Sequence, residues 1–226
     1  MRRVFFVLSF FTALCYASAQ GILRGEVRID IEPVYALGIG QTSPLTEREM
    51  EAWALEETAL CYAGMIYGWE FVYEPGETAR NISENISLTP LGKIQFGDTR
   101  LKVDAAKKID GYFSLWTDYR LNESQNLRVS NWNRASSGEM QSSGFGALTG
   151  KTGEMERGHL KDGALEDAAR KAVRARLRGI IPNRPRRVRG RIALAAFPIY
   201  GINAGLRTVN ARFRFTTEEI EPYMAW

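Results

Sequence analysis

Apolar and polar positions alternate from Glu26 to Glu32, with Val27, Ile29 and Ile31 on one side and Glu26, Arg28, Asp30 and Glu32 on the other. That period of two predicts a half-buried strand, which Pro33 ends or confines to a sheet edge. A helical period takes over at Thr46. Thr46 and Glu49 have the spacing of a capping box, and Met50, Trp53, Ala54, Leu60, Cys61 and Met65 form an apolar face over about 47–65, with Glu47, Arg48, Glu51 and Glu56 outside. Between Glu74 and Gly97 the turn signals Pro75-Gly76 and Pro90 separate short apolar pieces. Strands are predicted again at 99–104 and 111–121. In the second, Phe113, Leu115, Tyr119 and Leu121 alternate with Tyr112, Ser114, Trp116, Asp118 and Arg120, so its outward face is aromatic.

Residues 133–163 hold seven glycines and four serines in 31 positions, the composition of a long irregular segment. A second helix is predicted over 165–178, capped by Asp162 and stopped by Gly179. Leu165, Ala168, Ala169, Ala172, Val173 and Leu177 make its buried stripe, and Arg170, Arg174 and Arg178 recur on another face. The run Ile192 to Tyr200 is almost wholly apolar, as a central strand is. From Leu206 to Thr216, Val209, Ala211, Phe213 and Phe215 alternate with Asn210, Arg212, Arg214 and Thr216, which completes a hairpin. Strands mixed with two amphipathic helices predict an α+β fold, with mostly antiparallel sheets and both helices packed on one face.

The first nineteen residues stand outside that reading. Arg2 and Arg3 precede an apolar run from Val4 to Leu14 and then Ala17-Ser18-Ala19, the pattern of a secretory signal peptide cleaved near Ala19. The run is shorter than the roughly 20 residues that span a bilayer, and Leu14 is bulky for a lipid attachment at Cys15. The expected product is exported, periplasmic or extracellular, with units at 20–125 and 126–226 that form two domains or one fused domain. Export removes two arginines and leaves a net charge of +2, so overall charge selects no partner. One cysteine, Cys61, remains, which allows no internal disulfide and leaves stability to the core.

The lead-in and helix of the second half have a fainter earlier copy. Gly38-Ile39-Gly40-Gln41-Thr42 before a helix with Glu56-Glu57-Thr58-Ala59 parallels Gly144-Phe145-Gly146-Ala147-Leu148-Thr149 before one with Glu166-Asp167-Ala168-Ala169-Arg170-Lys171-Ala172. A Gly-x-Gly segment, an alanine-rich helix of this kind and following strands resemble the small exported modules of bacterial envelope lipoproteins and flagellar-ring accessory proteins. The resemblance covers about a third of the chain. It implies a non-catalytic role in the assembly or reinforcement of a surface or motor structure, with no catalytic residues and no cofactor.

Candidate chemistry adds little to this expectation. Gly150-Lys151-Thr152 ends like a phosphate-binding loop, but the pattern needs glycine at position 145, which is Phe145. The one histidine, His159, lies in the glycine-rich stretch, and no His or Cys pair has metal-ligand spacing. Asp110, Asp118, Glu70 and Glu74 lie near Trp69, Trp116 and Tyr112, which leaves open a saccharide-binding protein or a hydrolase with paired carboxylates. The strongest local anomaly is ten basic residues in the 22 positions from Arg170 to Arg191. Arg170, Arg174, Arg178, Arg184, Arg186, Arg187, Arg189 and Arg191 are candidates for an anionic partner: lipid headgroups, cell-wall polymer or an acidic protein, nucleic acid being at odds with export. Tyr223 and Trp226 in the tail are candidates for docking onto this chain or a neighbour. The sequence thus leads to an envelope assembly component, with a periplasmic ligand-binding protein or hydrolase as the alternative.

Overall fold

The computed structural model describes residues 21–30, 46–76, 81–109, 111–135, 138–147, 164–180, 185–203 and 206–222. The signal segment, Gly38 to Gly40, Asp110, His159, Asp162, Arg184, Tyr223 and Trp226 lie outside them.

Nine strands and three helices are described, in an α+β fold whose strand pairs are all antiparallel. The first sheet has the order β1-β5-β4, with β1 at Ile22–Asp30, β4 at Leu101–Ile109 and β5 at Tyr112–Arg120. The second has the order β3-β2-β7-β9-β6, with β2 at Trp69–Glu74, β3 at Asn85–Pro90, β6 at Glu139–Ala147, β7 at Arg187–Leu194 and β9 at Leu206–Glu221. The short β8, Ile199–Asn203, pairs with β9. Strands from both halves of the chain share this second sheet, because β2 pairs with β7 from Trp69↔Ile192 to Tyr73↔Val188.

Helix α1, Glu47–Ile66, starts at the expected capping box: Thr46 Oγ1 accepts from the Glu49 N–H, and the Glu49 carboxylate accepts from the Thr46 N–H at 2.9 Å. It stops at Gly68, whose φ of +68° suits glycine and whose N–H reaches back to the Ala63 carbonyl at 3.2 Å. The buried Met50, Trp53, Ala54 and Cys61 pack on Val27, Ile29, Phe113 and Leu115 of the first sheet. Its C-terminal half also meets the second sheet, since a Cβ at Gly64 would lie 2.4 Å from the Trp69 ring and 2.9 Å from Leu194. Helix α1 therefore has two buried sides.

Helix α3, Ala164–Ile180, covers one face of the second sheet. The predicted stripe of Leu165, Ala168, Ala169, Ala172, Val173 and Leu177 is buried against Phe71, Val188, Ile192, Val209, Ala211, Phe213 and Phe215. Small residues decide the spacing. A Cβ at Gly144 of β6 would sit 1.9 Å from the Ala164 carbonyl oxygen and 2.4 Å from the Ala168 nitrogen, so only glycine admits the helix this close.

Helix α1 meets the second sheet in the same buried cluster as α3, through Gly64 and Met65 against Trp69 and Leu194, and turns its other side to β1 and β5. Four sequence expectations are corrected. Residues 139–147 of the expected irregular segment form β6, and α2, Glu123–Ala135, is an unexpected helix. Helix α3 continues through Gly179, and the run Ile192 to Tyr200 divides between β7 and β8 at a turn around Phe197 and Pro198. Phe197 leaves the second sheet there and lies over Gly25 of the first, its ring edge-on to Tyr62 at 4.9 Å between centroids.

Candidate functional site

The arginine cluster divides over two surfaces. Along α3, Arg170 pairs with Glu166 of its own helix, and Arg174 reaches across to Glu84, donating from Nε at 2.8 Å. That bond holds the Glu84 carboxyl below its usual range. Arg178 is exposed. The arginines of β7 point to the face of the sheet away from α3, because they alternate with the buried Val188, Gly190 and Ile192. There Arg187 binds Glu74 at 2.7 Å and lies 3.7 Å from Glu221, Arg189 lies 3.8 Å from Glu219, and Arg191 binds Glu218 at 2.8 Å. Arg212 and Arg214 converge on Glu139 at 3.7 and 3.1 Å. Arg186 is exposed beside them.

A bulge makes this ladder. The β7–β9 register slips between Arg189 and Gly190, which adds Glu218 to β9 and brings Glu218 and Glu219, adjacent in sequence, within reach of two arginines on one face. Ten basic residues in 22 positions therefore do not make an open cationic surface; most of those described face a carboxylate.

Of the carboxylates considered for ligand chemistry, the three described, Glu70, Glu74 and Asp118, divide between the two sheets. Glu70 and Glu74 belong to the second sheet, and Glu74 is occupied by Arg187. Asp118 belongs to the first sheet, 3.2 Å from Arg24. Among the described residues no cluster of His, Cys, Asp or Glu is placed to hold a metal ion. A shallow depression of about 300 Å³ lies between Glu47, Met50, Glu51, Ala106, Lys108 and Phe113.

Two polar clusters tie elements together. Tyr62 of α1 donates to the Thr117 carbonyl at 2.8 Å and stacks on Tyr119, and burial pushes its phenol up to about 12. Asp98 binds Arg100 at 2.6 Å and accepts from Tyr119 at 3.0 Å, while Gln125, 1% exposed, donates to both Tyr67 and Tyr119. Hydrogen bonds from Arg100 hold the Asp98 carboxyl at about 2.

The outward face of the first sheet is open. Trp116 is 48% exposed, Tyr112 47%, Ile109 54% and Ile22 46%. Cross-strand partners share a face, so Lys107 opposite Ser114 and Lys102 opposite Asp118 lie beside these aromatics, and Arg120 sits opposite Ile22. The aromatic half of this surface is visible in the alternation of β5, but its lysines are not. Lys102 and Lys107 are five apart, an odd spacing that puts them on opposite faces of a regular strand. A register shift between Val103 and Ala105 brings them to the same one.

Comparison with known proteins gives kinship without chemistry. A family model of uncharacterised proteins matches residues 11–223. An uncharacterised protein of Treponema pallidum (strain Nichols) is 25% identical over 185 residues, covering 81% of this chain and 71% of that protein. No solved structure matches the chain significantly. No described helix is long and apolar enough to cross a membrane.

Proposed function

The chain belongs to this family of uncharacterised proteins, and from that premise we propose that it is an exported, non-catalytic structural or assembly component of a bacterial cell-envelope complex. The signal-peptide pattern before Gln20 supports export. The Gly-x-Gly and alanine-rich helix support kinship with the exported modules of envelope lipoproteins and flagellar rings. One observation carries the reading: charged side chains are committed to bonds between elements, as in Arg187 to Glu74 and Arg174 to Glu84, while an aromatic and cationic sheet face stays open. A body whose charges are largely paired between elements, with an open aromatic and cationic face, suits a part that is held by, or holds, a neighbour.

Chemical cross-linking in intact cells followed by purification from the envelope tests this. The expected product is a discrete assembly with the same partners in repeated preparations. Recovery of monomer alone, or of the chain in the cytoplasmic fraction with its first nineteen residues intact, contradicts it.

A further inference from the structure

We propose that the outward face of the three-stranded sheet docks onto the anionic surface of a lipid bilayer, an inference that rests on the exported reading above and names the partner of its open face. The register sorts this face into rows across the strands. Ile109 and Tyr112, with Asp30, form a mainly apolar row, Lys107, Ser114 and Arg28 a cationic one, Ala105 and Trp116, with Glu26, the next apolar one, and Lys102, Asp118 and Arg24 the next cationic one. Arg120 and Ile22 close the series. Rows on one face are about 7 Å apart, so aromatic rings and cations alternate along one face of the sheet.

That alternation matches the two layers of a membrane interface. Trp and Tyr rings settle at headgroup level with aliphatic neighbours beneath them, while Lys and Arg stems extend to the phosphates. Charge complementarity selects an anionic bilayer. Lys102, Lys107 and Arg120 have no carboxylate partner among the described residues, whereas Glu26 is held by Arg28 at 2.8 Å and Asp118 by Arg24 at 3.2 Å. With Asp30, opposite Tyr112 in the register, and the exposed Asp104 of the bulge both counted here, five cations face four carboxylates. A second copy stacked face to face would set cationic rows against cationic rows. The arginines of the second sheet lack this excess, because Glu74, Glu139, Glu218, Glu219 and Glu221 lie among them.

Sedimentation of the exported chain, residues 20–226, with vesicles decides the matter. Vesicles of equal parts phosphatidylglycerol and phosphatidylcholine are expected to take the protein down, and pure phosphatidylcholine to leave it in solution. Replacing the three unpaired cations together (K102Q, K107Q, R120Q) should weaken partition on the order of a hundredfold, and Trp116→Ala several-fold. The R189Q, R191Q double variant should bind as the parent does. All these side chains are exposed, and thermal melts verify that each variant is folded. No sedimentation with anionic vesicles, or undiminished sedimentation of the triple variant, overturns the proposal. So does a dimer that Trp116→Ala dissociates while vesicle binding stays unchanged, since the face then belongs to a second copy. Binding to an acidic polysaccharide in place of vesicles overturns it equally. Because vesicles contain no other protein, these outcomes are independent of whether an envelope assembly is recovered by cross-linking.

Discussion

Asp98 is one carboxylate on which several parts of the chain depend. Its oxygens accept from Arg100 and from the Tyr119 hydroxyl, Arg100 passes on to Gln125, and Gln125 donates to Tyr67 at the end of α1. The loop before β4, the end of β5, the start of α2 and the C-cap of α1 therefore meet in one hydrogen-bonded cluster. Asp98 is held at about 2 in the folded chain against an ordinary 3.8. A depressed carboxyl stabilises the fold above its unfolded pKa, and that contribution is lost as pH falls from about 4 to about 2. It amounts to about 2 kcal/mol. Urea titrations across this interval should show the parent losing stability toward low pH, and Asp98→Asn should start less stable at pH 7 and lose less on the way down. An equal slope in both proteins would detach Asp98 from the acid transition.

At the scale of elements, the contact between α3 and β6 depends on the missing side chain of Gly144. Ala164 and Ala168 present backbone atoms there, which no rotamer change can move aside, so Gly144→Ala should cost about 3 kcal/mol in chemical denaturation. A loss below about 1 kcal/mol, the span of strand propensity, would detach the effect from the helix contact. The same contact shows why β6 is hard to read from sequence. Its inward positions are Met140, Ser142, Gly144 and Gly146, three of them small, and α3 lies directly over Gly144, so an apolar alternation never develops. Asp167 of α3 also accepts the edge N–H of Phe145 at 2.9 Å, giving a poor strand sequence a partner for its free side. Helix α2 escapes for another reason. Only Gln125 and Trp132 of its thirteen residues are buried, so it has no apolar stripe to find. Its start was legible: Asn122 accepts from the Gln125 N–H, and Gln125 returns the bond to the Asn122 N–H, a capping box whose first three residues also match a glycosylation acceptor. Where a single period governs one buried face, as in α3 and β9, residue pattern and structure agree position by position. Helix α1, buried on two sides, agrees in extent but conceals its second contact. The candidate surface was half legible for a related reason, since a bulge in β4 moves Lys102 and Lys107 to one side and no local period records a bulge.

Across the whole molecule, charge and connectivity act differently. The arginine ladder on the second sheet is broad but exposed, with Arg189 and Glu219 at 45% and 54% and Arg191 and Glu218 at 51% and 43%. Exposed pairs contribute little in water, so Arg189→Gln and Arg191→Gln should each change unfolding free energy by no more than about 0.5 kcal/mol. A loss of several kcal/mol in either would make the ladder a principal support of the sheet. Strand connectivity matters more. Strand β2 lies between β3 and β7, so the first half of the chain contributes two strands to a sheet whose other strands come from the second half. Trp69, Phe71 and Tyr73 of β2 are buried in the cluster that α3 closes, and α3 begins only at Ala164. A fragment of residues 20–125 keeps β1, β4, β5 and α1 but leaves these three aromatics uncovered and one edge of β2 unpaired. It is expected to lack a cooperative thermal transition, to bind a hydrophobic dye, and to regain native near-ultraviolet dichroism only when residues 126–226 are added. A fragment that melts cooperatively by itself would make the first half an autonomous domain, and the β2–β7 pairing a contact formed after folding.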